Sequence, residues 1–256
     1  MKIKLSNISK QNIINNISFE INNGDRIALI GPNGAGKTTI NQLILGLTKP
    51  TSGNIFRQDA NIATVFQNNL LDNELTVSQN LNCRITDKHK LIQIKSKLKY
   101  FNINPKLLYS ELSGGQKRIV NYLRAIAENP NCLILDELSA GIDITIQKII
   151  WQDLNKYLTK NNCGLLFTTH LIDELNYANK IIFINKGNIL FSGSKQQFLD
   201  SMPKYKLIIN KDNQFFNTSY EAVQFIESNH LTNKNFEIKK ITYEDLILKL
   251  LKENNL

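Results

Sequence analysis

Gly31, Pro32, Asn33, Gly34, Ala35, Gly36, Lys37, Thr38 and Thr39 form a run of the pattern G-x-x-x-x-G-K-[ST]. Such a run cradles phosphate when it joins a strand to a helix. Glycines let the backbone close round phosphate oxygens with no Cβ in the way. The freed N–H groups and the positive end of the following helix then face the anion. Lys37 would bridge the β- and γ-phosphates, and the Thr38 hydroxyl would ligate Mg²⁺. A chance glycine-rich turn lacks this setting. Here an apolar strand over residues 26–30 precedes the loop, and a helix from Lys37 to about Leu47 follows it.

Three further groups have the chemistry to complete a hydrolytic site. The apolar segment 132–135 ends in Asp136 and Glu137. Asp136 can reach a metal through its water shell, and Glu137 can orient or deprotonate an attacking water. Taken alone, two acids at a strand end fit a strand-terminating turn equally well. His170 closes the next predicted strand, 164–169, so in a parallel sheet it stands over the same crevice and can hydrogen-bond a γ-phosphate. An isolated histidine is otherwise commonly a surface or core residue, and His89 and His230 have no such context. Finally, Ser113, Gly114, Gly115 and Gln116 follow Leu112 and precede a helix over 117–128. Ser113 is a good N-cap, and the two glycines expose N–H groups at the helix's positive end, a second anion site. An ordinary capped helix start has the same local sequence.

Positioning these residues requires a sheet. Alternating apolar positions predict strands at 2–8 and 17–21, and a turn at 22–25 leads into the strand before the loop. A break at 50–53 precedes a short strand pair ending at Phe66. From about 72 to 110 the period turns helical, with many lysines. Strand and helix alternate again from Cys132, with a helix at 144–158 whose apolar residues recur at helical spacing. Residues 181–184 and 189–191 flank a hairpin turn. This alternation predicts an α/β fold built on a mostly parallel sheet covered on both faces. Beyond about 203 the pattern changes to a hairpin near 206–216, a helix at 219–229, a strand at 236–239 and an amphipathic helix at 243–252. That pattern reads as a small appended α+β unit, dividing the chain into 1–203 and 204–256.

Composition narrows the setting. No run reaches the ~18–20 apolar residues of a membrane-spanning helix, and the N-terminus has no secretory pattern, so a cytosolic chain is expected. Three scattered cysteines without a C-x-x-C pair argue against a disulfide framework or a zinc site, and Cys132 reads as a buried thiol. The net charge of +9 comes from dispersed lysines in a chain also rich in Asn and Ile. It fits compositional bias, attraction to anionic lipid, or least readily a nucleic-acid surface.

With these motifs in this order, residues 2–200 resemble the ABC-type ATPases. Leu112 to Gln116 resemble the family signature, Gln67 the Q-loop glutamine, residues 139–143 the D-loop, Glu137 the catalytic carboxylate and His170 the switch histidine. The resemblance implies a P-loop NTPase fold with an antiparallel β subdomain and a helical subdomain inserted at about 72–125. It implies ATP and Mg²⁺, with Thr38, Gln67 and Asp136 at the metal and Gln67 also touching the attacking water. It further implies a head-to-tail dimer with a second ABC ATPase subunit, identical or not, in which Ser113 to Gln116 of one chain close on ATP held by the other. An integral membrane permease would be the other partner, with the chain on the cytoplasmic face of the membrane and no direct contact with nucleic acid. The lack of an elaborate insertion and the tail at 243–251 resemble exporter subunits. A soluble ABC ATPase serving nucleic acid or ribosomes is the alternative, supported only by the basic charge. Two departures stand out: no Tyr, Phe or Trp precedes Phe19 to stack on adenine, and Leu138 replaces the proline common after the catalytic Glu.

Overall fold

The computed structural model describes residues 1–66, 71–139, 141–209, 212–242, 245–247 and 249–250. Strands β1 (Lys2–Lys10) and β2 (Ile14–Asn22) are longer than their apolar alternation suggested, because backbone pairing continues through the polar residues between them. They form an antiparallel sheet with β4 (Ser52–Gln58), in the order β2-β1-β4.

The main sheet has six strands in the order β5-β6-β7-β3-β8-β9. Its members are β3 (Arg26–Ile30), β5 (Ile62–Val65), β6 (Cys132–Asp136), β7 (Gly164–Thr168), β8 (Lys180–Asn185) and β9 (Asn188–Ser194). All neighbours are parallel except β8 and β9. Those two are joined by Lys186 and Gly187 at φ 44° and 78°, the doubly positive turn that matches strand twist. Although β4 and β5 are consecutive, they belong to different sheets, so the segment from Ser52 to Val65 carries the chain from one layer to the other.

Alternation within each central strand divides the core. Leu133 and Leu135 of β6, with Ala28 and Ile30 of β3, face one cluster, while Cys132, Ile134, Ile27 and Leu29 face another. Burying each such aliphatic side chain contributes roughly 1.5–3 kcal/mol. The second cluster is closed by Ile40, Leu43 and Ile44 of α1 (Lys37–Leu45) together with the β2-β1-β4 sheet. Helix α1 stops short of Leu47 because Gly46 caps it at φ 75°.

The first cluster is closed by the helical insertion and by the helix after β6. The insertion contains α2 (Val77–Asn82), α3 (Lys88–Tyr100) and α4 (Gly114–Ala127), and α5 (Ile144–Asn161) follows β6. Helix α4 starts three residues earlier than its apolar period indicated, because the two glycines after Ser113 are themselves helical.

After the short α6 (Lys195–Asp200), strands β10 (Tyr205–Ile209), β11 (Asp212–Phe216) and β12 (Phe236–Lys240) form a separate sheet. With α7 (Ser219–Ser228), it encloses a small core of Leu207, Ile209, Ala222 and Ile226. Leu246, Ile247 and Leu250, by contrast, pack into the main core. Tyr243, Glu244, Leu248 and Leu251 of the tail lie outside the described residues.

Candidate active site

Because β6, β7 and β3 are adjacent and parallel, their carboxyl ends open on one edge, where ligands of open α/β sheets bind. The glycine-rich loop leaves β3, Asp136 and Glu137 leave β6, and His170 follows β7. They meet in one cleft of about 660 Å³, lined by Ile13, residues 33–39, Asp136, Glu137 and His170.

The loop carries the backbone that phosphate requires. Gly36 caps α1 at φ 107°, and a Cβ there would stand 2.6 Å from Ile14 Cδ1. Gly34 has φ 78° with no atom within 4 Å of a Cβ position, so the cradle is open above it. Lys37 is 8% exposed, and its ammonium donates to the carbonyls of Gly31 at 2.7 Å and Pro32 at 3.0 Å. Burial pushes this ammonium below the usual lysine range, and the carboxylates of Glu137 and Asp136 offset part of that. A phosphate entering the cleft would replace two neutral acceptors with a charged one.

The acidic side is held by a threonine that sequence reasoning passed over. Thr168 Oγ1 donates to Asp136 Oδ1 at 2.6 Å and accepts from Glu137 N at 3.0 Å. It can do both because Asp136 and Thr168 are directly paired across β6 and β7. The other oxygen, Asp136 Oδ2, accepts from Thr38 Oγ1 at 3.3 Å. One hydroxyl and one carboxylate suit a hard cation that completes its shell with water and substrate phosphates. No group of three or more His, Cys, Asp or Glu fit to hold a metal by itself occurs among the described residues.

Glu137 sits at φ 53°, a left-handed conformation uncommon for a glutamate. Its Oε1 lies 2.9 Å from His170 Nε2. The carboxylate and the histidine read separately from the sequence are thus a hydrogen-bonded pair, and a carboxylate so placed can orient or deprotonate water. Arg118 is a second residue that sequence reasoning missed. It is 7% exposed and hydrogen-bonds the carbonyl of Phe66, which ends the stretch before the expected Q-loop. Burial lowers its pKa, while the charges of Glu137, Tyr109 and Asp136 oppose that shift. Gln67 lies outside the described residues.

Ser113, Gly114, Gly115 and Gln116 stand elsewhere, and none of them lines the cleft. Ser113 and Gln116 form a reciprocal capping box, with Gln116 N to Ser113 Oγ at 3.2 Å and Ser113 N to Gln116 Oε1 at 3.0 Å. Nothing lies within 4 Å of a Cβ position on Gly114. Among the described residues no aromatic side chain lines the cleft, and Ile13, which does, is 41% exposed.

Residues 14–140 match the family model described as ABC transporter. The chain is 34% identical over 229 residues to the probable sulfate/thiosulfate import ATP-binding protein CysA of Chlorella vulgaris, covering 78% of this chain and 94% of that protein. It is 35% identical over 221 residues to the Nod factor export ATP-binding protein I of Rhizobium johnstonii, covering 77% of this chain and 71% of that one. A solved dimeric bacterial ABC transporter cassette, MJ0796, superposes with a TM-score of 0.68 at 24% identity, covering 75% of this chain and 98% of the other. The identity and coverage of these relatives place this chain in the ABC transporter ATP-binding family, whose members bind and hydrolyse ATP.

Proposed function

We propose that the chain is the ATP-hydrolysing subunit of a membrane transporter, working as a dimer that closes on ATP and drives a separate permease. The observation that carries the dimer is the separation of two anion-binding helix ends. The cleft contains the phosphate loop and both carboxylates, yet none of residues 113–116 lines it. A second subunit, identical or not, would supply that end. The dimeric state of the MJ0796 cassette supports this reading.

In this reading, residues 31–39 hold the phosphates, and Thr38, Asp136 and Gln67 would hold Mg²⁺, which would neutralise phosphate charge. Glu137 takes the proton of the attacking water, which Gln67 also touches, and His170 binds the γ-phosphate. Residues 1–203 would form the ATPase unit and 204–256 an appended one; the separate core of β10 to β12 supports this division, while Leu246, Ile247 and Leu250 pack back into the main core. No helix among the described residues is long and apolar enough to cross a membrane. The transporter roles in the relatives' names support a place on the cytoplasmic face, held there by the permease. Export is the finer reading and rests on the lack of an elaborate insertion and on the sequence of the tail at 243–251. The relatives named above serve import in one case and export in the other, so the permease would set the direction.

Glu137→Gln tests the site and the dimer together. It should bind ATP, lose ~10²-fold or more in turnover, and elute as a dimer at saturating ATP in size-exclusion chromatography. A variant that stays monomeric under those conditions counts against the sandwich. Recovery of the tagged chain from membranes with an integral membrane protein supports the transporter role. Recovery with ribosomes or nucleic acid alone would favour the soluble alternative.

A further inference from the structure

Glu174 is a carboxylate that the hydrolytic chemistry above leaves unused. It lies four residues beyond His170 in the 3₁₀ turn Ile172–Tyr177 and is 2% exposed. Its Oε1 accepts from Gln147 Nε2 at 2.7 Å and from Trp151 Nε1 at 2.8 Å, both on α5. Neither donor is charged, so this burial is costly for stability alone. The same indole N–H also reaches Ser139 Oγ at 3.2 Å, two residues beyond Glu137. The indole ring stacks on Tyr177 at 4.4 Å with the planes 4° apart, and it meets Phe167 of β7 edge-on at 5.1 Å.

We infer that Glu174 is a positioning residue, coupling the segment that follows Glu137 to the segment that follows His170 through the Trp151 indole. Glu137 and His170 already touch at the front of these two segments. Behind them, Ser139, Trp151 and Glu174 form a second tie, so one segment cannot shift without displacing the other. A cavity of about 320 Å³ bordered by Glu137, Ser139, His170 and Glu174 leaves room for such a shift. The tie makes the geometry of the water-activating pair depend on the position of Ser139. Glu174 touches no reacting atom. Its effect is to hold the Glu137–His170 pair in register, and it belongs to turnover rather than to nucleotide affinity. The inference rests on the ATPase assignment.

Trp151 is the sole tryptophan of the chain, so emission excited beyond the tyrosine absorption band reports on this junction alone. The test compares full-length wild type with Glu174→Ala, Glu174→Gln and Gln147→Leu. ATPase kcat and KM, equilibrium ATP binding, and Trp151 emission with and without Mg-ATP would be measured. Glu174→Ala should lower kcat ~10- to 100-fold while ATP affinity stays within about twofold. Its emission should no longer respond to Mg-ATP. Glu174→Gln keeps the acceptor oxygen and should restore both kcat and the emission response. Gln147→Leu removes one half-buried donor and should lower kcat with KM unmoved.

Wild-type kcat and a wild-type emission response in Glu174→Ala would overturn the coupling. So would equal losses of kcat and ATP affinity. If Glu174→Ala does not fold, wild-type kcat in Gln147→Leu overturns it instead. An inactive wild-type chain would defeat the ATPase assignment, and the emission response to ATP binding would still decide the coupling.

Discussion

Glu137 occupies a backbone region that costs a non-glycine residue ~1–3 kcal/mol, and its neighbours hold it there. Thr168 accepts its N–H while anchoring Asp136. Thr168→Val keeps the shape but removes both bonds, leaving a half-buried donor and a buried carboxylate oxygen short of a partner. It should lose ~1–3 kcal/mol of stability and about tenfold or more in kcat, with Thr168→Ser recovering most of both. Thermal melting and steady-state kinetics check this. The contrast between Thr168 and its neighbours shows what was legible in the sequence. Lys37 and Thr38 announce themselves by type and local spacing, and Asp136, Glu137 and His170 become candidates once successive strand ends are read in a parallel sheet. Thr168 matters only because β6 and β7 pair in one register, and Arg118 only because α4 folds back to Phe66. Neither relation exists until the chain is folded.

At the scale of elements, apolar period located nearly every strand and helix but misjudged their ends. Caps and backbone pairing set those ends: Gly46 stops α1, the glycines after Ser113 start α4, and ladder bonds extend β1 past its last apolar alternation. The short α6 went unread because its six residues span under two turns and carry no period. The face that α1 turns to the core holds one misfit. Asn41 is 3% exposed, and neither its Nδ2 nor its Oδ1 has a hydrogen-bond partner among the described residues. A leucine has the same branching without the unsatisfied polar atoms. Asn41→Leu should therefore stabilise the protein by ~1–3 kcal/mol, seen as a higher denaturation midpoint with an unchanged m-value. A fall in the midpoint would mean that the helix cannot accept an apolar side chain there.

In the whole molecule, an ion pair ties the appended sheet to Asp245. Lys206 Nζ lies 2.7 Å from Asp245 Oδ1, with side chains 15% and 9% exposed. Burial pushes the Asp245 carboxyl up, but hydrogen bonds from Lys206 and Thr242 outweigh it and leave the carboxyl below its ordinary value. The resulting stabilisation is present above the usual aspartate range and is lost as pH falls through the lowered value. Lys206→Met should cost ~3 kcal/mol by stranding Asp245 and should speed proteolysis of the C-terminal region. It should leave ATP turnover alone.

The placement of residues 113–116 outside the cleft has a kinetic meaning. If each site is finished only by another copy, a lone subunit is half an enzyme, and catalysis becomes bimolecular in the protein itself. Specific activity should then rise with subunit concentration and fade on dilution, with the reaction order in protein passing from two towards one as dimers saturate. Surplus subunits without partners would leave the cell's ATP untouched, and a permease that holds two subunits side by side would act first by raising their local concentration.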